Sequence, residues 1–348
     1  MRFGIAVDLG PAGPPLGERL RQLEPVFRRA EHYGFDSVWV GENYAPRAGS
    51  VTDFHGPSAL TVLAALAGET TLGLGSGVVL LGAYDMLRLA YDIALVDSLS
   101  EGRLTVGIGL GPGVMASRFG QPTVRAAVAD ERLEALRALL SGADGYAGEE
   151  VVVEGGIHPL GHQGRMPPLL IGGGVQASLR RAARLGEGWY ASSAYSMDRI
   201  RSLAGRFSAL RAELDAGPAR IAVNRLTVLK GDAKAARTVA ARYAGGIVAA
   251  YGAVGALDDG GVPIPPGQVD IGPALAQRGI IGDAEDGLRL TDQYSQMGVT
   301  DIQFRIAPIG LPVQDILQTL DVLGEGVLPQ WTKGAQPTKE HVEEHRHG

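Results

Sequence analysis

The chain has 348 residues and a net charge of −6, which arises from 32 basic and 38 acidic side chains spread without long like-charge blocks. This balance argues against nucleic acid and anionic membrane as partners, and the lack of cysteine excludes disulfides, thiolate zinc sites and a cysteine nucleophile. Because no secretory signal pattern and no apolar run of about 18 residues occurs, we expect a cytoplasmic protein.

Short apolar segments alternate with helical patterns through the first third of the chain. The spacing of apolar residues predicts strands over residues 3–7, 37–40, 72–76 and 104–108. Helices are predicted between them, through residues 20–30, 57–67 and 86–99. Strands and helices that alternate at this short spacing are typical of a parallel sheet with right-handed crossovers.

The same alternation continues through the rest of the chain. Strands are predicted over residues 168–171, 189–192, 221–229 and 301–306, and helices over residues 128–140, 175–185, 197–214, 233–251, 283–298 and 313–323. The Gly/Pro-rich residues 252–273 are interpreted as an active-site flap or a mobile insertion. Eight such strands favour an α/β fold, a (β/α)8 TIM barrel with insertions, over an open doubly wound sheet. We expect one domain over residues 1–330 and a frayed polar tail over residues 331–348.

A glycine-rich turn between a predicted strand and a predicted helix is the clearest candidate binding site. In the segment PLLIGGGVQASLRRAARLGEGW, Gly172, Gly173 and Gly174 separate the strand from the helix. Glycines let backbone N–H groups approach a ligand, and a helix N-terminus carries about half a positive charge, so the turn predicts a phosphate site. We expect Gly174 to need a positive φ. A tight connection that binds no ligand is the alternative, and the turn matches neither GxGxxG nor GxxxxGK[ST].

Five segments of the chain resemble the luciferase-like monooxygenase superfamily, in the order and at the spacing seen there. They are GFDSVWVGENY, LGLGSGVVLL, LVDSLSEGRLTVGIGLG, PPLLIGGGVQASLRRAARLGEGWYAS and IIGDAEDGLRLTDQYSQMGVTDIQF. The match covers most of the chain, from residue 1 to about residue 323. The resemblance implies an elaborated TIM barrel that binds FMN or the deazaflavin coenzyme F420 at the C-terminal end of its strands.

The resemblance also assigns cofactor contacts to individual residues. The phosphate is expected at Gly173, Gly174, Val175 and Gln176, which agrees with the glycine-rich turn. A non-prolyl cis peptide bulge, behind the central ring of the cofactor, is expected at Gly77 and Val78, and a plain trans turn is the alternative. Further contacts are expected at or next to predicted strand ends, from Asp8, Ser76, Gly109 and Gly172.

Three positions depart from the family pattern. Many members carry a histidine after the acidic residue that follows strand two, whereas this chain has Asn43 after Glu42. Asn43 can form hydrogen bonds but cannot transfer a proton at neutral pH. Pro112 stands where the sugar-phosphate dehydrogenases of the family add a glutamate, so a His/Glu acid-base pair is absent. Leu110 replaces an arginine that contacts the phosphate in FMN-dependent luciferases, which favours F420 over FMN.

The remaining polar candidates lie at predicted strand ends, which face the active site in a TIM barrel. They are Asp8, Glu42, Asn43, Tyr44, Ser76, Asn224 and Arg305, and His55 lies near the same rim. Each has a structural alternative, such as a salt bridge at the barrel mouth for Glu42 or a backbone hydrogen bond for His55. Arg103 is expected to pair with a nearby carboxylate, and His158 and His162 lack a third ligand for zinc.

These observations predict a reductase that consumes reduced F420 and transfers hydride to an activated C=C or C=N bond. Alcohol oxidation would need a base, which neither Asn43 nor Pro112 supplies. Glu42, Tyr44 or His55 is the expected proton donor or substrate anchor, with Asn43 beside them. An FMN-dependent monooxygenase and a non-catalytic flavin-sequestering barrel are the alternatives. The expected partners are a small-molecule or secondary-metabolite substrate and, as an assembly, a second copy of the chain in a homodimer.

Overall fold

A computed structural model describes residues 1–11, 13–44, 56, 58–111, 119–120 and 126–332. Within these residues, eight parallel strands close into a barrel, in the order β1, β2, β3, β4, β7, β8, β9 and β13, with β13 pairing back onto β1. In chain order the strands are β1 (Arg2–Val7), β2 (Ser37–Val40), β3 (Gly73–Leu80), β4 (Leu104–Gly109), β5 (Gly145–Ala147), β6 (Val152–Glu154), β7 (Leu169–Gly172), β8 (Gly188–Ala191), β9 (Arg220–Leu229), β10 (Asp258–Asp259), β11 (Val262–Pro263), β12 (Gly279–Gly282) and β13 (Asp301–Ala307).

Helices pack around the outside of the barrel. In chain order they are α1 (Leu16–His32), α2 (Ala59–Leu66), α3 (Met86–Leu99), α4 (Ala126–Leu140), α5 (Gln176–Leu185), α6 (Met197–Glu213), α7 (Ala233–Tyr243), α8 (Gly245–Ala253), α9 (Ile271–Ala276), α10 (Ala284–Gln296), α11 (Val313–Val322) and α12 (Pro329–Thr332). Short 3-10 turns occur at Leu81–Ala83 and His162–Gly164, and a π-helical turn follows α11 at Leu323–Val327. None of the helices in the described part of the chain combines the length and apolarity needed to span a membrane.

The predicted TIM barrel is confirmed, and all eight predicted strands are barrel strands. β3 runs past its predicted end at residue 76, because a register shift between Ser76 and Val79 lets it continue to Leu80. The sheet that forms the barrel contains a ninth strand, β12, which the sequence pattern does not predict. It pairs with the second half of β9, whereas β8 pairs with the first half. With only four residues, two of them glycine, β12 carries too weak a pattern to be recognised.

One prediction about the region after β9 is wrong. The single helix expected over residues 233–251 is divided into α7 and α8 at Ala244, because Gly245 and Gly246 lower the helix propensity there. Residues 252–273, interpreted as an active-site flap or a mobile insertion, contain a hairpin, β10 and β11, followed by the start of α9, and that interpretation stays a prediction. Buried Asp258 anchors this insertion by accepting hydrogen bonds from the Ser196 hydroxyl and the Gly261 N–H.

Large aromatic side chains fill the interior of the barrel. Trp39 and Tyr190 pack there with Ala6, Leu170 and Ala222, at a distance of 5.8 Å between the two ring centroids. The larger core lies between the strands and the surrounding helices. The division into a domain over residues 1–330 and a tail stays a prediction, because residues 333–348 lie outside the described residues.

Candidate active site

A cavity of about 360 Å³ opens at the C-terminal ends of the barrel strands. Its wall includes residues from or just past seven barrel strands, together with Ser178 of α5 and Tyr251 of α8. Pockets of this size and position bind small molecules and cofactors, and the C-terminal face is where TIM-barrel enzymes carry their active sites. This cavity is therefore the candidate active site.

The cavity brings together about half of the residues predicted to form the site. Its wall includes the predicted residues Glu42, Gly77, Val78, Gly109, Gly172 and Gly173. Other predicted residues are described but do not line it, namely Asp8, Asn43, Tyr44, Ser76, Gly174, Val175 and Gln176. His55 and Pro112 lie outside the described residues. Hydroxyl-bearing side chains that no sequence pattern predicted also line the cavity, namely Ser178, Tyr190, Ser192, Ser193 and Tyr251.

The bulge in β3 forms one wall of the cavity. The peptide between Gly77 and Val78 is cis, which confirms the bulge implied by the family resemblance. A Cβ on Gly77 would lie 2.2 Å from the Tyr190 hydroxyl, so only glycine fits beside that ring. The Ser76 hydroxyl is fully buried and donates to the Gly107 carbonyl at 2.9 Å. Ser76 therefore supports the bulge from behind, and its predicted contact with the cofactor stays untested.

The glycine-rich turn leads from β7 to an α5 N-terminus that no side chain caps. Gly173 has a φ of 134°, and a Cβ there would lie 2.4 Å from Ser178 Cβ. The expectation that Gly174 needs a positive φ is wrong, because that conformation occurs at Gly173. Trp189 Nε1 donates to the Gly173 carbonyl at 2.7 Å and so fixes the turn. The uncapped N–H groups at the start of α5 remain suited to bind an anion.

A cation that the sequence analysis missed lies beside this turn. A Cβ on Gly174 would stand 2.3 Å from the Tyr195 hydroxyl and 3.0 Å from Arg199 Nη2. The guanidinium stacks over the Tyr195 ring, 4.2 Å from its centroid, and Nη1 lies 3.4 Å from a carboxylate oxygen of Asp258. The structured insertion thus holds Arg199 next to the turn. No sequence signal indicated this contact, because it depends on how α6 packs beside α5.

Glu42 is a hydrogen-bonding hub at the end of β2. Its Oε1 accepts from the Leu80 N–H at 3.0 Å, and its Oε2 accepts from the Ala59 N–H at 3.0 Å and the Tyr84 hydroxyl at 2.6 Å. Burial raises the pKa of Glu42, and these three hydrogen bonds, together with one from the Tyr44 hydroxyl, oppose the rise. The carboxylate therefore joins the ends of β2 and β3 to the start of α2.

Tyr44 contacts both Glu42 and Tyr84. The two tyrosine oxygens lie 3.0 Å apart, and the Tyr44 hydroxyl also forms a hydrogen bond with the Glu42 carboxylate. Burial and the nearby Glu42 carboxylate raise the pKa of Tyr44 to about 12. The predicted roles of Glu42, Asn43 and Tyr44 as proton donor or anchor stay predictions.

A buried ion pair links the first and last barrel strands. Arg305 Nε lies 2.9 Å from Asp8 Oδ1, and its Nη2 lies 2.6 Å from the same oxygen. Burial alone would lower the pKa of Arg305, but the Asp8 carboxylate raises it, and the net direction is upward. The guanidinium therefore stays charged at the cavity wall. Asp8 lies behind it and acts on the cavity through Arg305.

Tyr190 and Asn224 provide polar groups deeper in the barrel. The Tyr190 hydroxyl donates to Gln303 Oε1 at 2.6 Å, so its hydrogen bond with Asn224 is one in which the Asn224 amide donates. Asn224 Oδ1 is buried and has no hydrogen-bond partner among the described residues, although Asn224 lines the cavity. A buried acceptor of this kind suits a ligand N–H or O–H group.

The predicted structural roles of the other polar residues are confirmed only in part. Arg103 is structural, but its partners are the backbone carbonyls of Ala67, Thr70, Leu72 and Ser100 rather than a carboxylate. The His162 backbone N–H donates to Asp97. Within the described ranges, no group of three or more His, Cys, Asp or Glu side chains is placed to hold a metal ion.

Comparison with known protein families identifies the family to which the chain belongs. The family model for luciferase-like monooxygenases matches residues 1–300. The chain belongs to this family. Its curated relatives and structural neighbours include proteins named as F420-dependent and a monooxygenase component solved in complex with FMN.

Individual luciferase-like relatives are distant. The chain is 30% identical over 209 residues to the 5,10-methylenetetrahydromethanopterin reductase of Archaeoglobus fulgidus, covering 59% of this chain and 56% of the relative. It is 29% identical over 181 residues to the F420-dependent glucose-6-phosphate dehydrogenase of Kineococcus radiotolerans, covering 49% and 52%. The chain thus spans about half the length of these curated relatives. Monooxygenase RslO1 from Streptomyces bottropensis has a similar fold, with a TM-score of 0.81, 23% identity and coverage of 95% of this chain and 100% of that one.

The site fits the phosphate-bearing cofactors used in the luciferase-like family. Beside the uncapped N-terminus of α5, the turn has no room for a Cβ at Gly173 or Gly174. Arg199 adds a positive charge there, and Asn224 offers a buried acceptor elsewhere on the wall. These donors and the acceptor suit a molecule with an anionic phosphate and a polar ring system.

Proposed function

We propose that the protein is an F420-dependent reductase that acts on an activated C=C or C=N bond of a small organic substrate, such as a secondary metabolite. The observation that carries the choice of cofactor is Leu110, which lines the cavity with an apolar side chain. FMN-dependent luciferases are expected to have an arginine at that position. The F420-dependent glucose-6-phosphate dehydrogenases among the curated relatives support the same choice.

The residues around Glu42 support reduction as the direction of the reaction. Oxidation of an alcohol needs a base that accepts the hydroxyl proton. Asn43 is not a base, and Glu42 already accepts at least three hydrogen bonds from the protein. Reduction is less demanding, because it needs only one proton donor. Reduced F420 supplies a hydride when it is bound.

The chain offers separate groups for the two ends of such a cofactor. The backbone N–H groups of Gly174, Val175 and Gln176, together with Arg199, would hold the phosphate. The bulge at Gly77 and Val78 would support the ring system, as the family resemblance implies. Tyr190 packs behind Gly77 and keeps that wall rigid.

Titration of the purified protein with F420 and with FMN tests the proposal. We expect tighter binding of F420, measured by cofactor fluorescence, and anaerobic oxidation of reduced F420 when conjugated ketones or imines are added. Tighter binding of FMN, or a yellow protein purified with FMN, would contradict the choice of cofactor. Robust oxidation of alcohols by the wild-type protein would contradict the direction.

An FMN-dependent monooxygenase is the second candidate, and Arg199 favours it. The terminal phosphate of FMN carries more negative charge than the phosphodiester of F420, and a guanidinium beside the turn suits a dianion. A non-catalytic barrel is the third candidate, favoured by Asn43. Such a protein would bind the cofactor but would not oxidise its reduced form with any substrate in the panel.

A further inference from the structure

Four polar side chains form a connected chain at one wall of the cavity. Asp8 holds Arg305, Arg305 Nη1 donates to the Tyr251 hydroxyl at 3.4 Å, and that hydroxyl lies 2.9 Å from Ser193 Oγ. Arg305, Tyr251 and Ser193 line the cavity, whereas Asp8 does not. One wall therefore presents a guanidinium and two hydroxyl groups next to each other.

The Arg305 guanidinium is held in a fixed orientation. The side chains of Arg305 and Asp8 are each only 1% exposed, and Nε and Nη2 both contact the same carboxylate. Hydrogen bonds from Nε to the carboxylate and from Nη1 to the Tyr251 hydroxyl fix the plane of the guanidinium. An oxygen atom that gains negative charge in the cavity would meet a donor that is already in place. Preorganised donors of this kind stabilise a developing oxyanion strongly.

Tyr251 is placed to transfer a proton at the same point. Arg305 can only donate, so the Tyr251 oxygen accepts from Nη1. Negative charge that develops on the phenol oxygen during proton transfer would lie next to this guanidinium. The Ser193 hydroxyl can both donate and accept, so it can return a proton to the phenol.

We propose that Arg305 and Tyr251 form a binding site for a carbonyl oxygen, that the substrate is an α,β-unsaturated carbonyl compound, and that Tyr251 is the catalytic proton donor. This inference rests on the proposed reductase function and adds the substrate class and the donor. Asp8 is a positioning residue, because it acts through Arg305.

The bonds and charges balance with these groups. Reduced deazaflavin, when bound, would supply the hydride that forms a C–H bond at the β-carbon, and the C=C electron pair would move through the carbonyl group onto its oxygen. Tyr251 gives its phenolic proton to that oxygen, and the resulting enol rearranges in water to the saturated carbonyl compound. Ser193 then passes a proton from solvent to the tyrosinate. Each C=C bond reduced consumes one hydride and one proton.

Other hydroxyl and carboxyl groups at the cavity are less suited to this role. The Tyr190 proton is donated to Gln303, and Glu42 accepts at least three hydrogen bonds through its two oxygens. Neither has a cation within hydrogen-bonding distance among the described residues. Tyr251 alone of these three combines a cavity-lining hydroxyl with a guanidinium that contacts its oxygen.

Infrared spectroscopy of a bound conjugated ketone tests the oxygen site without turnover. The probe is cyclohex-2-enone labelled with ¹³C at the carbonyl carbon, added to the protein with oxidised F420 and to the cofactor-free protein. We expect the carbonyl band to lie at lower wavenumber than in water, because two donors polarise the bond. The shift should shrink in Tyr251→Phe and also in the double variant Asp8→Asn, Arg305→Met, which removes the ion pair together, because each variant leaves one of the two donors in place. Tyr243→Phe, which loses a hydroxyl at the end of α7, is the matched control.

Turnover provides the second readout. In Tyr251→Phe we expect anaerobic oxidation of reduced F420 by the enone to fall at least about 100-fold, with the Kd for F420 unchanged. An unshifted wild-type carbonyl band, an equal shift in Tyr251→Phe, or full turnover in that variant would overturn the inference. If wild-type protein consumes no reduced F420 with any substrate, the proposed function fails, and the infrared shift in the cofactor-free protein decides on the oxygen site.

Discussion

The guanidinium of Arg199 lies beside Gly174, so close that a Cβ on the glycine would stand 3.0 Å from Nη2. Arg199 belongs to α6, and Gly174 belongs to the turn before α5. The positive charge at this turn thus comes from the following βα unit, whereas the β4 turn contributes the apolar Leu110. This arrangement leads to separate predictions for the shape and for the charge of the phosphate site.

Gly174→Val tests the shape of the site. The new Cβ would stand 2.3 Å from the Tyr195 hydroxyl, so the tyrosine or the turn must move. We expect the affinity for the phosphate-bearing cofactor to fall at least tenfold, about 1.4 kcal/mol, while the fold is retained. Fluorescence titration measures the affinity and circular dichroism checks the fold.

Gly205→Ala is the matched control for this substitution. Gly205 lies in α6, and a Cβ there would meet nothing within 4 Å. We expect unchanged cofactor affinity and a slightly more stable helix. A folded Gly174→Val variant that binds the cofactor as tightly as the wild type would show that the phosphate lies elsewhere.

Arg199→Met tests the charge of the site. We expect the cofactor affinity to fall about tenfold at low salt. The loss of affinity should be smaller at high salt, because added ions screen a partly exposed charge. Arg199→Lys should restore part of the loss. Titrations at two salt concentrations measure both effects.

Arg201→Met serves as the control, because Arg201 lies on the same helix but is exposed and pairs with Asp198. Its substitution should leave the affinity and the salt dependence unchanged. Equal losses in the two variants would mean that Arg199 acts through the net charge of α6 rather than through the turn.

The sequence predicted the barrel well, because each barrel strand is a short apolar segment between helical patterns and needs no tertiary information to be recognised. β12 was not predicted, because a segment of four residues, two of them glycine, is too short to show an apolar strand pattern. The glycine-rich turn was recognised as a site because its function depends on local backbone. The resemblance to a family placed the bulge at Gly77 and Val78, which composition alone does not indicate.

The polar contacts of the site could not be predicted, because they join residues far apart in the chain. Asp8 and Arg305 are separated by 297 positions and meet only when β13 closes the barrel against β1. Tyr251 reaches the cavity because the predicted helix breaks before it, and Arg199 reaches Gly174 through packing between βα units. Sequence periodicity identifies which face of an element is buried but not which polar atoms it meets.

Glu42→Gln distinguishes an organising role from a catalytic one. An amide nitrogen in place of one carboxylate oxygen would face a hydrogen-bond donor, so the Leu80 N–H, or the Ala59 N–H and the Tyr84 hydroxyl, would lose an acceptor. We expect the free energy of unfolding to fall by about 1–3 kcal/mol, measured by chemical denaturation. Tyr84→Phe removes a single donor and should cost less. Lost turnover at unchanged stability would instead support the predicted catalytic role of Glu42.

Asp301 at the N-terminal end of β13 should make stability depend on pH. Its carboxylate accepts from Arg2 Nε at 2.8 Å and from Arg220 Nη2 at 2.9 Å. Burial would raise the pKa of Asp301, but these hydrogen bonds outweigh it and lower the pKa below its ordinary value of 3.8. The folded state therefore binds the proton more weakly than the unfolded chain, so the stabilisation is present above pH 3.8 and is lost as the pH falls through the lowered pKa.

Asp301→Asn should accordingly destabilise the protein most at neutral pH, by about 3 kcal/mol, because Arg220 would keep a largely buried charge without its carboxylate. The difference from the wild type should shrink when unfolding is measured at progressively lower pH. Asp198→Asn, which breaks an exposed pair with Arg201, should change the free energy of unfolding by no more than about 0.5 kcal/mol. A loss in Asp301→Asn that stays constant down to low pH would mean that the amide disturbs packing at the barrel floor rather than removing a charge.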